Sequence, residues 1–357
     1  MGGINLVLLN IYGKIEPTII SRKLGVGICN PASDWVLGLQ DDFKEEISIH
    51  NHSIASFEKG GLDVRWAIGR YDPESITNRL GWQESGKTAL QIIAEHLIEI
   101  QVLDFDNSLL QIKNEHLDSP TCEPQYTRKF LNFCCIVQSS KSAQTIIPEQ
   151  IPFSTYNSDD LHVKPLILNY LEAMLRSQPN HEILVETYTA GGIKSLKYLG
   201  NLIDDFLMSE EDFWLFDYIM NAVFEDREQN AYHIFKVMSL IEMLIINPKG
   251  NGKTLGEIEQ KLPQFLSGYI EASQRTLFAE IMRKLRNKIG RGDFRAVQQL
   301  LEQYRQTFMK NFWFDECEYS IESWIYGNIC LFLDKALNEI LWLMLSDNAQ
   351  LMRIQMS

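Results

Sequence analysis

From about residue 165 to residue 346 the apolar side chains recur with a period of 3.6, which aligns them into one stripe on a helix but would scatter them over both faces of a strand. This half of the chain is therefore expected to be all-helical. Leu166, Ile167, Tyr170, Leu171, Met174 and Leu175 form one apolar face, and Ile193, Leu196, Leu199, Leu202, Ile203 and Phe206 form the next. A third helix opens at Ser209, with Asp212 at the spacing of a capping box, and carries Phe213, Phe216, Ile219, Met220 and Val223. A fourth spans 230–246 and stops at Asn247-Pro248, and a fifth opens at Thr254 with Glu257 in the box position. The sixth, 273–289, repeats Phe278, Ile281, Met282, Leu285 and Ile289. A seventh covers 294–308. The last, 319–345, turns Ile321, Trp324, Ile325, Phe332, Leu333, Leu337, Ile340 and Leu341 inward. No repeat at a solenoid period accompanies them.

Upstream the pattern changes. The segment 148–165 holds three prolines around a polar middle that suits neither a helix nor a central strand, and reads as a linker. Before it, short β-type runs at 4–9, 64–68 and 130–137 surround one helix over 87–100. The expected fold class is an α+β N-terminal domain, 1–147, followed by an all-α helical bundle, 166–346, and a tail, 347–357. A chain of 357 residues suits two such domains better than one. Apolar residues make up 45% and charged residues 22%, which argues against long disorder.

The N-terminus lacks a basic signal region, and Leu6 fails the Ser/Thr position of a myristoylation pattern, so the mature chain is expected to start here. Cys29, Cys122, Cys134, Cys135, Cys317 and Cys330 contain no C-x-x-C pair, and Cys134 and Cys135 read as buried thiols of a reducing compartment. The greasiest stretch, 329–345, is broken by Asp334, Lys335, Asn338 and Glu339, so a cytoplasmic protein without a membrane span is expected.

Two patterns imitate known chemistry. The run Gly81-Trp-Gln-Glu-Ser-Gly-Lys87-Thr88 fits a phosphate loop, but 74–80 is too polar for the buried strand such a loop must follow, and a helix start capped at Ser85 explains it. A second Gly-Lys-Thr at 252–254 lacks the first glycine. His50 and His52 would share one strand face without a third ligand, as surface histidines do. No metal and no cofactor are expected.

A net charge of -14 excludes bulk polyanion binding, so any contact with nucleic acid needs a local basic patch. One exists. Arg283-Lys-Leu-Arg-Asn-Lys-Ile-Gly-Arg-Gly-Asp-Phe-Arg295 packs six cations and one acid into 13 positions. Cations do collect at helix C-termini, where Gly290 or Gly292 would supply the cap. Arg286, however, lies four residues after Met282 and three before Ile289, at the edge of the apolar stripe. Glu242 falls among apolar positions of the fourth helix, four after Met238 and three before Ile245. A carboxylate there calls for a cation, and Arg286 is the natural one.

The stretch Val237-Met-Ser-Leu-Ile-Glu-Met-Leu-Ile-Ile246 together with Leu285-Arg-Asn-Lys-Ile-Gly-Arg-Gly-Asp-Phe294 resembles the two marker helices of an Apea-like HEPN domain. Its signature is an arginine, a polar residue and then a histidine four to six positions on. The resemblance covers 165–346. It implies a HEPN-like bundle that homodimerises and cleaves RNA, tRNA among the candidates, without a metal, as a toxin or in anti-phage defence. It further implies catalytic positions at Arg286, Asn287 and Glu242. The basic run itself offers RNA-binding positions at Arg283, Lys284, Lys288 and Arg295, and for the N-terminal domain, which the resemblance does not reach, a phage or host protein is the expected partner. The histidine position holds Arg291. Arginine keeps phosphate affinity but does not shuttle protons near neutral pH. The chain is then a non-cleaving RNA-binding or dimerisation module, an inactive version of a nuclease, or a nuclease that uses another base, such as Asp293 or a histidine from outside the motif.

Overall fold

In the computed structural model, residues 5–12, 15–29, 97–102, 123–149, 151, 155–157, 181–224, 228–246, 256–310 and 318–357 are described. Among them stand ten helices and five short strands, and the chain divides into two compact units. One comprises Met1–Leu131 and Glu149–Asp204, the other Asn132–Pro148 and Asp205–Ser357.

The first unit carries an antiparallel sheet of β1 (Asn5–Tyr12), β2 (Thr18–Ser21), β3 (Val26–Cys29), β4 (Leu97–Val102) and β5 (Thr155–Asn157), in the order β2-β3-β4-β1-β5. β2 and β3 form a hairpin whose turn ends on Gly25, at φ 63, the left-handed region that glycine enters without strain. Ile20, Leu24, Val26 and Ile28 are buried beneath it. The turn is pinned by one carboxylate. Asp204 accepts from the Ser21 hydroxyl at 2.6 Å and from the backbone N–H groups of Arg22 and Lys23 at 2.9 and 3.1 Å.

That carboxylate comes from the end of a helix, His181–Phe206, whose register on the sheet is set by Gly200. A Cβ there would stand 2.0 Å from the Ile20 carbonyl oxygen. Only glycine admits so close a backbone approach.

Two sequence expectations change in this unit. Residues 97–100, read as the end of a helix, are strand, with Leu97–Val102 paired to β1 and β3. Thr155–Asn157, inside the segment read as linker, pair with β1 as β5. In both cases the partner strands are remote in sequence and override local preference. The strand expected at 64–68, the helix residues 87–96 and the first helical face at 166–175 lie outside the described residues, as do Cys122 and Cys317.

A third correction concerns 130–137, which is helix rather than strand: α1 runs Glu123–Gln138. Phe130, Leu131, Phe133, Cys134, Cys135, Ile136 and Val137 are all buried, and the unbroken apolar run 133–137 hides the helical period, while Arg128 stays exposed and Lys129 and Asn132 are half-buried. Burial pushes the Cys134 thiol up and raises Cys135 to about 12, so both stay protonated.

After α1 come α2 (Lys141–Gln144) and, as α3, the helix His181–Phe206 already met. α4 (Glu210–Phe224) begins with the expected reciprocal box. The Asp212 N–H donates to the Ser209 hydroxyl oxygen at 3.2 Å, and the Ser209 N–H donates to the Asp212 carboxylate at 2.9 Å. α5 (Ala231–Ile245) starts from Asn230, whose side chain accepts the His233 N–H at 3.0 Å. α6 (Glu257–Phe265) opens later than expected, at Glu257 after a left-handed Gly256, and Thr254 is outside the described residues. α7 (Arg275–Gly290), α8 (Phe294–Phe308) and α9 (Glu318–Ser346) follow the expected spans closely.

The tail is also helical, forming α10 (Asn348–Met356). Lys261 of α6 donates to the Gln355 carbonyl at 2.8 Å, and the Gln355 amide donates to the Leu244 carbonyl at 2.6 Å, one of the end carbonyls that α5 leaves without a helical partner.

α5 packs between α7 and α9, and α7 in turn packs on α6 and α8. The core is built from Ile234, Met238, Ile241 and Ile245, from Phe278, Ile281, Met282 and Leu285, and from Ile329, Leu333, Leu337 and Ile340. Phe278 meets Tyr304, Phe308 and Phe332 edge-on at 5.8 to 6.1 Å between ring centres. Trp324, expected inside, is 52% exposed, because it lies about 100° around α9 from Ile325, which leads the buried stripe. No helix among the described residues is long and apolar enough to cross a membrane.

Candidate nucleic-acid interface

The buried stripe of α7 fixes where its cations point. Arg283 and Arg286 flank Met282 and Leu285, so their chains run along the margins of the core and their heads meet acids on the neighbouring helices. Arg286 donates to the Glu242 carboxylate of α5 at 2.5 Å and to the Asn287 side-chain oxygen at 2.9 Å. Arg283 donates to Glu259 of α6 at 2.5 Å. The side chain of Glu242 is 19% exposed and that of Arg286 31%. Burial lifts the Glu242 carboxyl above the usual glutamate range, against the downward pull of Arg286 and Arg283. Arg286 Nε and Glu259 Oε2 are buried without hydrogen-bond partners among the described residues.

The remaining cations divide into two kinds. Lys284 bonds Glu280 one turn back at 2.5 Å, and Lys288 bonds Asp293 at 2.8 Å. Asp293 also caps α8 by accepting the Ala296 N–H, and Lys288 with that bond holds its carboxyl below the ordinary aspartate range. Asp293 is thus ionised and engaged, which makes it a poor proton acceptor. Arg291 and Arg295 are exposed and have no acid at salt-bridge distance among the described residues. Of the six cations in the run, four meet an acid within the protein and two have none among the described residues.

The turn that carries Arg291 is a Schellman motif. The Gly292 N–H donates to the Ile289 carbonyl at 3.0 Å and the Asp293 N–H to the Lys288 carbonyl at 3.0 Å, with Gly292 at φ 68. Gly292 therefore supplies the cap. Gly290 has another task, since a Cβ there would come within 2.9 Å of the Phe235 ring and part α7 from α5.

Sequence reasoning paired Glu242 with Arg286 and missed Glu259, whose approach to Arg283 depends on how α6 crosses α7. It also left His233 without a role. This histidine is 3% exposed, with Nε2 2.8 Å from Asp334 of α9 and a buried Nδ1 that has no hydrogen-bond partner among the described residues. The available signal was Asp334 itself, a charge set within the apolar run of the last helix. Lys87, Thr88, His50 and His52 lie outside the described residues. No family model matches the chain, and comparison with curated proteins and with solved structures finds no match.

Proposed function

We propose that the helical unit is a HEPN-like RNA-binding module of the Apea-like type, in which Arg286 and Arg291 take the phosphate backbone and no proton is transferred. The observation that carries this reading is the Glu242–Arg286 pair at 2.5 Å, followed by two exposed arginines that meet no acid among the described residues, in a chain of net charge -14. A guanidinium oriented by a carboxylate is a preorganised phosphate ligand, and free arginines add the salt-dependent part of the affinity. Arginine at 291 retains that affinity and removes the proton shuttle that cleavage requires. The module acts as a homodimer in the cytoplasm, as part of an anti-phage response, and the N-terminal unit answers to a phage or host protein.

Cleavage is the second reading, and one observation favours it. The Glu242 carboxyl is raised by burial beside Arg286, and so is better suited than an ordinary glutamate to take the proton of a ribose 2'-hydroxyl as its oxygen attacks the adjacent phosphate and the bond to the 5'-oxygen breaks.

Incubation of the protein with total RNA and with tRNA separates these readings. The binding module shifts RNA in a salt-sensitive manner without producing fragments, and Arg286→Ala with Arg291→Ala abolishes the shift. Fragments from the unaltered chain that vanish in Glu242→Gln establish the second reading. Absence of any RNA binding at low salt refutes both. Arg291→His is expected to introduce cleavage if the rest of the site is competent.

A further inference from the structure

The apolar stripe of α8 runs Phe294, Val297, Leu301 and Tyr304. The last three are at most 2% exposed, whereas Phe294, in the same register, is 73% exposed. It sits at the first position of the helix, immediately after the Schellman turn, with its N–H donated to the Gly292 carbonyl at 3.0 Å. Arg295 follows it directly and Arg291 precedes it by three residues across the tight turn at Gly292. Both arginines are exposed and free of acids among the described residues, while the one acid between them, Asp293, is already held by Lys288 and the Ala296 N–H.

We propose that Phe294 is a stacking platform for an unpaired RNA base, with Arg291 and Arg295 binding the phosphates on either side of it. This rests on the RNA-binding reading above and names its substrate class as single-stranded rather than duplex RNA. In a duplex both faces of every base are covered by neighbours, so an isolated aromatic ring gains nothing from stacking, whereas a splayed base offers a free face. A protein partner fits the corner less well. Phe294 is the sole large exposed apolar side chain of α7 and α8 among the described residues, and a stable protein interface buries a contiguous apolar centre. One ring matches one base.

The test uses the full chain, a short labelled single-stranded RNA and the same sequence as a blunt duplex, with affinity read by fluorescence anisotropy. The single strand is expected to bind more tightly than the duplex. Phe294→Ala weakens it by about 5- to 150-fold and leaves duplex affinity unchanged. Phe294→Trp retains the single-strand affinity. Arg291→Ala and Arg295→Ala each flatten the logarithmic salt dependence by about 0.7 on single strands. Because Phe294 is mostly exposed, its variants should melt with the parent, and circular dichroism verifies this.

RNA binding that survives Phe294→Ala undiminished, or that does not distinguish strand from duplex, overturns the stacking platform and leaves the RNA-binding reading intact. Failure of the unaltered chain to bind either probe removes both. If the sedimentation mass of such a non-binding chain falls by half in Phe294→Ala, the ring is a protein contact and the platform is refuted.

Discussion

The Glu242–Arg286 pair carries an asymmetry that mutation exposes. Burial holds the Glu242 carboxyl above its usual range even though Arg286 and Arg283 pull it down. The folded chain therefore binds this proton more tightly than the unfolded chain does. The corresponding stability is fully present below the unfolded pKa and is lost as pH rises through the folded one. At neutral pH the ionised carboxylate is thus no better for the fold than a neutral side chain of the same shape. Glu242→Gln is expected to change stability by less than about 1 kcal/mol, as replacement of a charge whose desolvation outweighs its attraction often does. Arg286→Gln acts differently, because it leaves a carboxylate that is 19% exposed without its cation. Loss of a charged hydrogen bond costs about 1.5 to 3 kcal/mol. For a unit of this size that lowers Tm by roughly 3 to 12 °C.

Calorimetry is the suitable assay, since it resolves separate transitions in a chain of two units. Lowering the pH into the range where buried carboxylates titrate should shrink the Arg286→Gln defect, because Glu242 then takes a proton instead of standing as an unpaired charge. The double variant should recover most of the loss. If Glu242→Gln at neutral pH costs as much as Arg286→Gln, and neither responds to pH, attraction outweighs desolvation and the reasoning fails.

Three further substitutions test the frame around the site. Gly200→Ala forces a Cβ to within 2.0 Å of the Ile20 carbonyl, and since backbone does not yield cheaply, a loss of about 3 kcal/mol or more is expected in the melting of the first unit. Gly292→Ala meets no atom within 4 Å but must hold φ 68, so about 1 to 2 kcal/mol is expected, with faster amide exchange confined to the end of α7. Ser209→Ala removes one half of the capping box on α4 and should cost about 1 kcal/mol in the thermal transition of the second unit, recovered by Ser209→Thr.

What the chain states by itself about this protein is what depends on neighbours a few residues away. The period of α7, the box at Ser209 and Asp212 and the spans of α8 and α9 all rest on contacts within about four residues, and each stands where the pattern puts it. The approach of Arg286 to Glu242 was legible for the same reason, as each lies at the margin of a stripe and the two stripes must face one core.

Tertiary structure decided everything that requires a remote partner. Leu97–Val102 is strand because β1 and β3 accept it, and the period of α1 was hidden because Phe133, Cys134, Cys135, Ile136 and Val137 are buried one after another, a continuous apolar run that reads equally as a buried strand. At the basic run, composition counts charge but not what each charge meets. Lys284 and Lys288 meet acids four and five residues away, Glu280 and Asp293, but Arg283 depends on Glu259 of α6, and the turn at Gly292 leaves Arg291, Phe294 and Arg295 outside. Partition of a charged run into paired and free members follows from how helices cross and where they end, which a linear pattern does not encode.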